Sequence, residues 1–159
     1  VISLVQPELR KLDVKVTTDL TENLRPVNGN EIELQQVALN LIMNGVQAMR
    51  SNEPDSRSLH IATANVSLAN NEAGVEAAVR DSGGGFDPTK VNQLFEPFYT
   101  TKANGIGMGL AINRTIIQAH GGTIVGTPNV DRGATFRFRL PTIRAAARQS
   151  TLVEQATDE

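Results

Sequence analysis

The chain is expected to fold as an α+β two-layer sandwich, with helices covering one face of a sheet. Three observations point there. Strand-like segments come in adjacent pairs separated by turn residues, as hairpins require. Helix-like segments fall between those pairs and do not alternate strictly with single strands, as a doubly wound sheet would demand. The length, 159 residues, suits one domain and buries a real core without metal or disulfide staples.

In order along the chain, "VISLVQPELRK" reads as a helix-like turn or two. "LDVKVTTDL" then alternates Val14, Val16 and Thr18 with polar neighbours, the period of a half-buried strand. A long helix is expected from about Glu31 to Met49, with Asn30 as N-cap and Glu33 answering it in a capping box. "SLHIATANVSLA" and "GVEAAVRD", separated by "NNEA", form a strand hairpin. From Gly83 to Asn104 runs a long connection with Pro88 and Pro97, broken by a short helix starting at Pro88. A second long helix, about Gly109 to Ala119, stops at Gly121 and Gly122. "TIVGTPN" and "ATFRFRLP" are strands joined by a turn at Asp131, Arg132 and Gly133. Residues 142–159 are small, polar and unpatterned, a tail or linker beyond a domain spanning 1–141.

Composition excludes several functions. The formal net charge is -2, with no basic excess of the kind nucleic acid binding leaves, so no nucleic acid partner is expected. With no cysteine there is no disulfide and no thiol chemistry, which fits a reducing cytoplasm. No apolar run reaches the length of a membrane span and no signal-peptide layout opens the chain, so no membrane contact by this domain is expected. The first residue is valine in a helix-like context, which reads as a piece of a longer protein.

Three groups of residues stand out. In the first long helix, Gln36, Asn40 and Asn44 recur every four residues on one stripe of an otherwise apolar segment. Unpartnered buried carboxamides cost roughly 1–3 kcal/mol each, so something polar lies opposite: another core group, or a hydrated Mg²⁺ with phosphates, which takes oxygen ligands. In "VRDSGGGF", Asp81 ends an apolar strand before three glycines. It is either a turn carboxylate or an acceptor for the exocyclic amine of adenine, which guanine would oppose with a carbonyl. In "GIGMGL", Gly105, Gly107 and Gly109 precede a helix although glycine is worse there than alanine by about 1 kcal/mol. Converging N–H groups at a helix N-terminus would hold an anion; a hinge or tight packing explains the glycines equally well. The spacing is neither a dinucleotide fingerprint nor a Walker loop.

The order of these motifs carries a resemblance. "LQQVALNLIMNGVQAM", "DSGGGF", "LFEPFYTTK", "GIGMGL" and "GATFRF" resemble, in that sequence, the N box, first glycine box, F box, second glycine box and closing segment of one family. It is the catalytic ATP-binding domain of bacterial sensor histidine kinases, within the superfamily that includes gyrase, heat-shock chaperone and mismatch-repair ATPases. The match runs from Gly29 to Pro141, and "FEPFYTTK" and "RTIIQAHGG" are similar to the nitrogen- and oxygen-sensing subgroup.

The resemblance implies a Bergerat-type ATP-binding fold, a mixed, mostly antiparallel sheet packed against about three helices. It implies ATP and Mg²⁺ as cofactors, with Asn44 on the metal and Asn40 assisting through the metal or its water, and Gln47 in the place of a common phosphate-binding lysine. Asp81 would read adenine, with Thr135 and a water completing that contact. Gly83 and Gly85 would let the nucleotide lie on the backbone, and Gly105, Gly107, Gly109 and Leu110 would wrap the phosphates. Residues 94–104 would be the ATP lid, anchored by Phe95 and Phe98, with Lys102 reaching a phosphate. Gly45 departs from the family's alanine.

The implied activity is transfer of the γ-phosphoryl group to a histidine on a separate dimerisation domain, expected upstream, and onward to a response regulator. Neither His60 nor His120 is followed by the acidic residue that marks the phosphoacceptor. Nothing in the chain is expected to act as nucleophile or base: Asn40 stands where ATPase relatives carry a water-activating glutamate, and an amide cannot take a proton. The alternatives are a serine kinase or ATPase of the same superfamily, and a regulatory module that binds ATP without transfer.

Overall fold

The computed structural model describes residues 1–69, 71–100 and 107–143. Within them the chain runs α1 (Ile2–Lys11), β1 (Lys15–Leu20), α2 (Glu31–Ala48), β2 (Ser58–Ser67), β3 (Ala73–Asp81), α3 (Gly109–Ala119), β4 (Thr123–Pro128) and β5 (Ala134–Pro141). The strands form one sheet in the order β1-β2-β3-β5-β4. β1 pairs parallel to β2, and every other pair is antiparallel. The parallel pair is possible because the connection between its strands is long and contains α2, whereas β2–β3 and β4–β5 are hairpins. This is the α+β two-layer arrangement with a mixed, mostly antiparallel sheet that the sequence predicts.

Register sorts the side chains. Residues directly opposite in a ladder share a face. Leu59 opposite Asp81, Ile61 opposite Val79, and Val79 opposite Phe136 all point toward the helices, as do Val75 and Leu140. Against them pack Val5 and Leu9 of α1, Val37, Leu41, Ile42 and Val46 of α2, and Ile117 of α3. Each fully buried Leu or Ile contributes on the order of 1.5–3 kcal/mol. β4 makes room for this core with Gly126, where a methyl group would lie 2.7 Å from the Phe136 ring.

α2 begins as expected, with the Asn30 side chain accepting from the N–H groups of Ile32 (3.0 Å) and Glu33 (3.3 Å). The reciprocal half of the capping box is replaced. The N–H of Asn30 donates to His120 Nε2 at 3.0 Å, and His120 Nδ1 donates to the carbonyl of Ile116 at 2.8 Å. A carbonyl only accepts, so the proton sits on Nδ1 and leaves Nε2 as the acceptor. His120, at the C-terminal end of α3, thus ties that end to the start of α2.

The short helix expected at Pro88 is a 3₁₀ turn, Pro88–Lys90, capped by Asp87, and a second 3₁₀ turn follows at Gln93–Phe95. Thr142 and Ile143, read as tail from sequence, are bonded to the domain. The N–H of Thr142 donates to the Ala73 carbonyl, that of Ile143 to Pro26, and Thr142 is buried. Residues 144–159 lie outside the described residues.

Candidate functional site

Two helices and the end of one strand build the site. Asp81, the last residue of β3, turns its side chain toward α2 and is only 4% exposed. α2 yields to it at Gly45, where a methyl group would stand 3.2 Å from Asp81 Cβ and 2.9 Å from Leu59 Cδ1. The family's alanine therefore has no room here unless Leu59 shifts. The Asp81 carboxylate accepts from the N–H of Gly83 at 2.8 Å and, at 3.4 Å, from that of Ala134. Burial pushes its pKa above the usual carboxylate value, and the two backbone N–H groups pull it back only in part.

The glycines after Asp81 meet protein before they meet any ligand. A methyl at Gly83 would lie 2.7 Å from Ala48 Cβ, so this glycine packs the strand end on the last turn of α2. Gly85 has φ of 69° and approaches Gly133, whose own φ is 81°. A methyl at Gly85 would lie 2.9 Å from the Gly133 carbonyl oxygen. By contrast, a methyl at Gly84 or Gly109 would meet nothing within 4 Å among the described residues.

On α2, Asn40 and Asn44 are half-buried, Gln47 is exposed, and Gln36, on the same stripe, faces solvent. What lies opposite Asn40 is Asn113 of α3. The Asn40 amide donates to Asn113 Oδ1 at 3.0 Å. Asn113 is fully buried and its own amide nitrogen has no hydrogen-bond partner among the described residues. The sequence carried a signal for it: Asn113 interrupts the apolar stripe of Leu110 and Ile117 at helical spacing.

α3 starts at Gly109 with Met108 in the N-cap position and no side-chain cap among the described residues. Among the described residues no acceptor takes its first N–H groups, and these, with the helix dipole, favour an anion. Gly107, with φ of 71°, is pressed against the F-box backbone, and its carbonyl accepts from the N–H of Phe98 at 2.9 Å. Phe95 is buried, edge-on to Phe136 with ring centroids 6.3 Å apart. Phe98, expected as a second anchor, is 74% exposed at a φ of 68°, so its ring anchors nothing inside. Leu110 packs on the core from the first turn of α3. Lys102 and Gly105 lie outside the described residues.

Thr135 is not brought to the Asp81 carboxylate. It stands opposite Arg80 in the ladder, and so on the sheet face away from α2. Its hydroxyl donates to Asn129 Oδ1 at 2.7 Å, while the Asn129 amide donates to the carbonyls of Asp81 (3.0 Å) and Arg132 (2.8 Å). The neighbour that faces the helices is Ala134, buried beside Asp81. The alternation of β5 separates the two, and a one-residue difference in assigned register exchanges the faces.

Among the described residues no group of three or more His, Asp or Glu could hold a metal. The amide oxygens of Asn40 and Asn44 are neutral, hard donors, which suits Mg²⁺ only if an anionic ligand supplies the charge. An apolar groove lined by Val1, Ile2, Ile61 and Phe138 lies between α1 and the sheet and includes none of the candidate residues.

The family model described as histidine kinase-, DNA gyrase B- and HSP90-like ATPase matches residues 29–144. The chain belongs to that family. Within it, the chain is homologous to the catalytic domains of sensor histidine kinases. It is 35% identical over 140 residues to the sensor protein TdiS of Thauera aromatica, covering 88% of this chain and 25% of TdiS. It is 36% identical over 132 residues to the sensor protein FixL of Bradyrhizobium diazoefficiens, covering 83% of this chain and 25% of FixL. The chain thus spans about a quarter of the length of these relatives. Among solved structures, the catalytic domain of histidine kinase ThkA in a nucleotide-free form superposes with a TM-score of 0.74 at 27% identity, covering 88% of this chain and 86% of that one.

Proposed function

We propose that this domain binds Mg·ATP and passes the γ-phosphoryl group to a histidine on a separate dimerisation domain, from which it moves to a response regulator. The observation that carries the reading is the pairing of a buried carboxylate with an open helix start along one helix. Gly45 and Ala48 of α2 sit against Asp81 and Gly83, while Asn40 is bonded to α3 one turn after Gly109. From Asn40 to Ala48 the helix rises about 12 Å. That span suits a nucleoside at the Asp81 end and its polyphosphate at the α3 end.

In this reading Asp81 accepts from the adenine amine, and Gly83 and Gly85 shape the backbone beside the base. Asn44 holds Mg²⁺, with Asn40 assisting, and Gln47 lies near the phosphates. Gly107, Gly109 and Leu110 present the start of α3 to them, joined by Lys102 and Gly105. The family membership and the absence of a carboxylate at position 40 support a kinase over a hydrolase: an amide cannot take a proton from water, so the phosphoryl group is kept for a better nucleophile. An incoming histidine nitrogen would form a bond to the γ-phosphorus as the bond to the β–γ bridging oxygen breaks, releasing ADP.

No helix among the described residues is long and apolar enough to cross a membrane. We place the domain's work in the cytoplasm, where ATP is supplied, with a packed domain that takes in Thr142 and Ile143.

The test mixes the domain with γ-labelled ATP, Mg²⁺ and a histidine-bearing dimerisation domain. The expected result is acid-labile label on the added domain and little hydrolysis without it. Acid-stable label would indicate a serine kinase, and tight binding with no labelled protein would indicate a regulatory ATP module; either overturns the proposal.

A further inference from the structure

We propose that Asn113 is the positioning residue for Asn40, fixing which atom of the Asn40 carboxamide faces the nucleotide. The inference rests on the Mg·ATP reading of the site. A carboxamide offers a donor nitrogen and an acceptor oxygen at the same reach, and on a half-buried helix face it can present either. A cation or its bound water requires the oxygen, because both offer only positive charge or protons. Here the Asn40 nitrogen is drawn to Asn113 Oδ1 at 3.0 Å, leaving Oδ1 of Asn40 as the atom outside that bond.

Asn113 is otherwise out of place. It is fully buried beside Leu110 and Ile117, and its second polar atom has no partner among the described residues. An apolar residue would fill that stripe without leaving an unpaired donor, so among the described residues the bond to Asn40 is the contact that explains the side chain. Its position adds a link. Asn113 follows Gly109 by four residues and lies on the same side of α3 one turn along. A shift of the glycine-rich start of α3 therefore moves the atom that orients Asn40.

The test is calorimetric titration of the chain with Mg·ATP and, separately, with ATP in EDTA, for the parent, Asn113→Ala, Asn113→Ser, Asn40→Ala and the double alanine variant. Asn113→Ala is expected to lose about tenfold in affinity for Mg·ATP while its affinity for metal-free ATP stays within about twofold. Asn113→Ser, whose hydroxyl can still accept from Asn40, is expected to recover most of that loss. The double variant should bind Mg·ATP no worse than Asn40→Ala, because the two residues act as one unit. Equal losses with and without Mg²⁺, additive effects, or no loss in Asn113→Ala would overturn the inference while parental Mg·ATP binding leaves the site reading standing. A parent that shows no Mg²⁺-dependent binding would overturn both.

Discussion

Gly45 of α2 and Asp81 of β3 are packed so closely that a single methyl group on the helix would stand 3.2 Å from the Asp81 β-carbon. The helix passes over the strand end without a side chain between them. The price of that approach is a glycine inside the last turn of an 18-residue helix, a cost of up to about 1 kcal/mol in helix propensity.

Gly45→Ala recovers the propensity and meets Leu59 and Asp81 in return. Leu59 is fully buried, so its methyl has little freedom to retreat. Overpacking of this kind costs typically 1–3 kcal/mol, and the net expectation is a loss of up to about 2 kcal/mol, read by urea unfolding. Gly45→Val should lose clearly more. A gain in stability with Gly45→Ala would show that the contact gives way freely.

Asp81 makes both folding and binding depend on pH. Burial raises its pKa in the folded protein above the ordinary aspartate value of 3.8, so the folded state holds its proton more tightly than the unfolded chain. Stability from this group is therefore full below about pH 3.8 and is lost as pH rises toward the folded pKa, beyond which the buried charge is carried in full. Nucleotide binding should run the other way, because the ionised acceptor bonds the adenine amine more strongly than the protonated one: affinity rises as pH climbs through the folded pKa. Asp81→Asn should flatten both profiles and cost at least about tenfold in ATP affinity. The readouts are urea unfolding and calorimetric titration across the acid range.

Asn30→Ala should destabilise the domain by about 1 kcal/mol through loss of the α2 cap, visible in thermal or urea unfolding. His120→Ala removes the acceptor of the Asn30 N–H and the tie to Ile116. If the two side chains secure the same helix start, the double variant should lose less than the sum of the single losses.

The elements were legible where local chemistry decides them. Asn30 before an apolar run marked α2, the paired strands marked the hairpins, and Gly121 after Ala119 marked the end of α3. The parallel pairing of β1 with β2 was not legible, because it depends on where the α2 crossover returns the chain. His120 as the partner of Asn30 was hidden for a related reason: it lies 90 residues from the cap it completes. At the site, the motifs named Asn40 and Asp81 but not the contacts that hold them. Asn113 stands out in sequence as a polar break between Leu110 and Ile117, but its partner Asn40 appears only once α3 is laid against α2, and Thr135 and Ala134 change roles with the face each takes on β5. The glycines of "DSGGGF" read from sequence as accommodation for a ligand; in the fold Gly83 and Gly85 are required by Ala48 and Gly133, and only Gly84 adjoins open space.

β3 lies at the middle of the sheet, between β2 and β5, and its last residue carries the carboxylate that the rest of the site surrounds. The surrounding groups come from around residues 45, 83 and 134, segments that meet only when distant parts of the chain have docked. A ligand held there recognises the finished fold and not its fragments, so bound nucleotide adds its binding free energy to the stability of the whole domain. In a cell, the same site would make survival against unfolding and proteolysis follow the nucleotide supply.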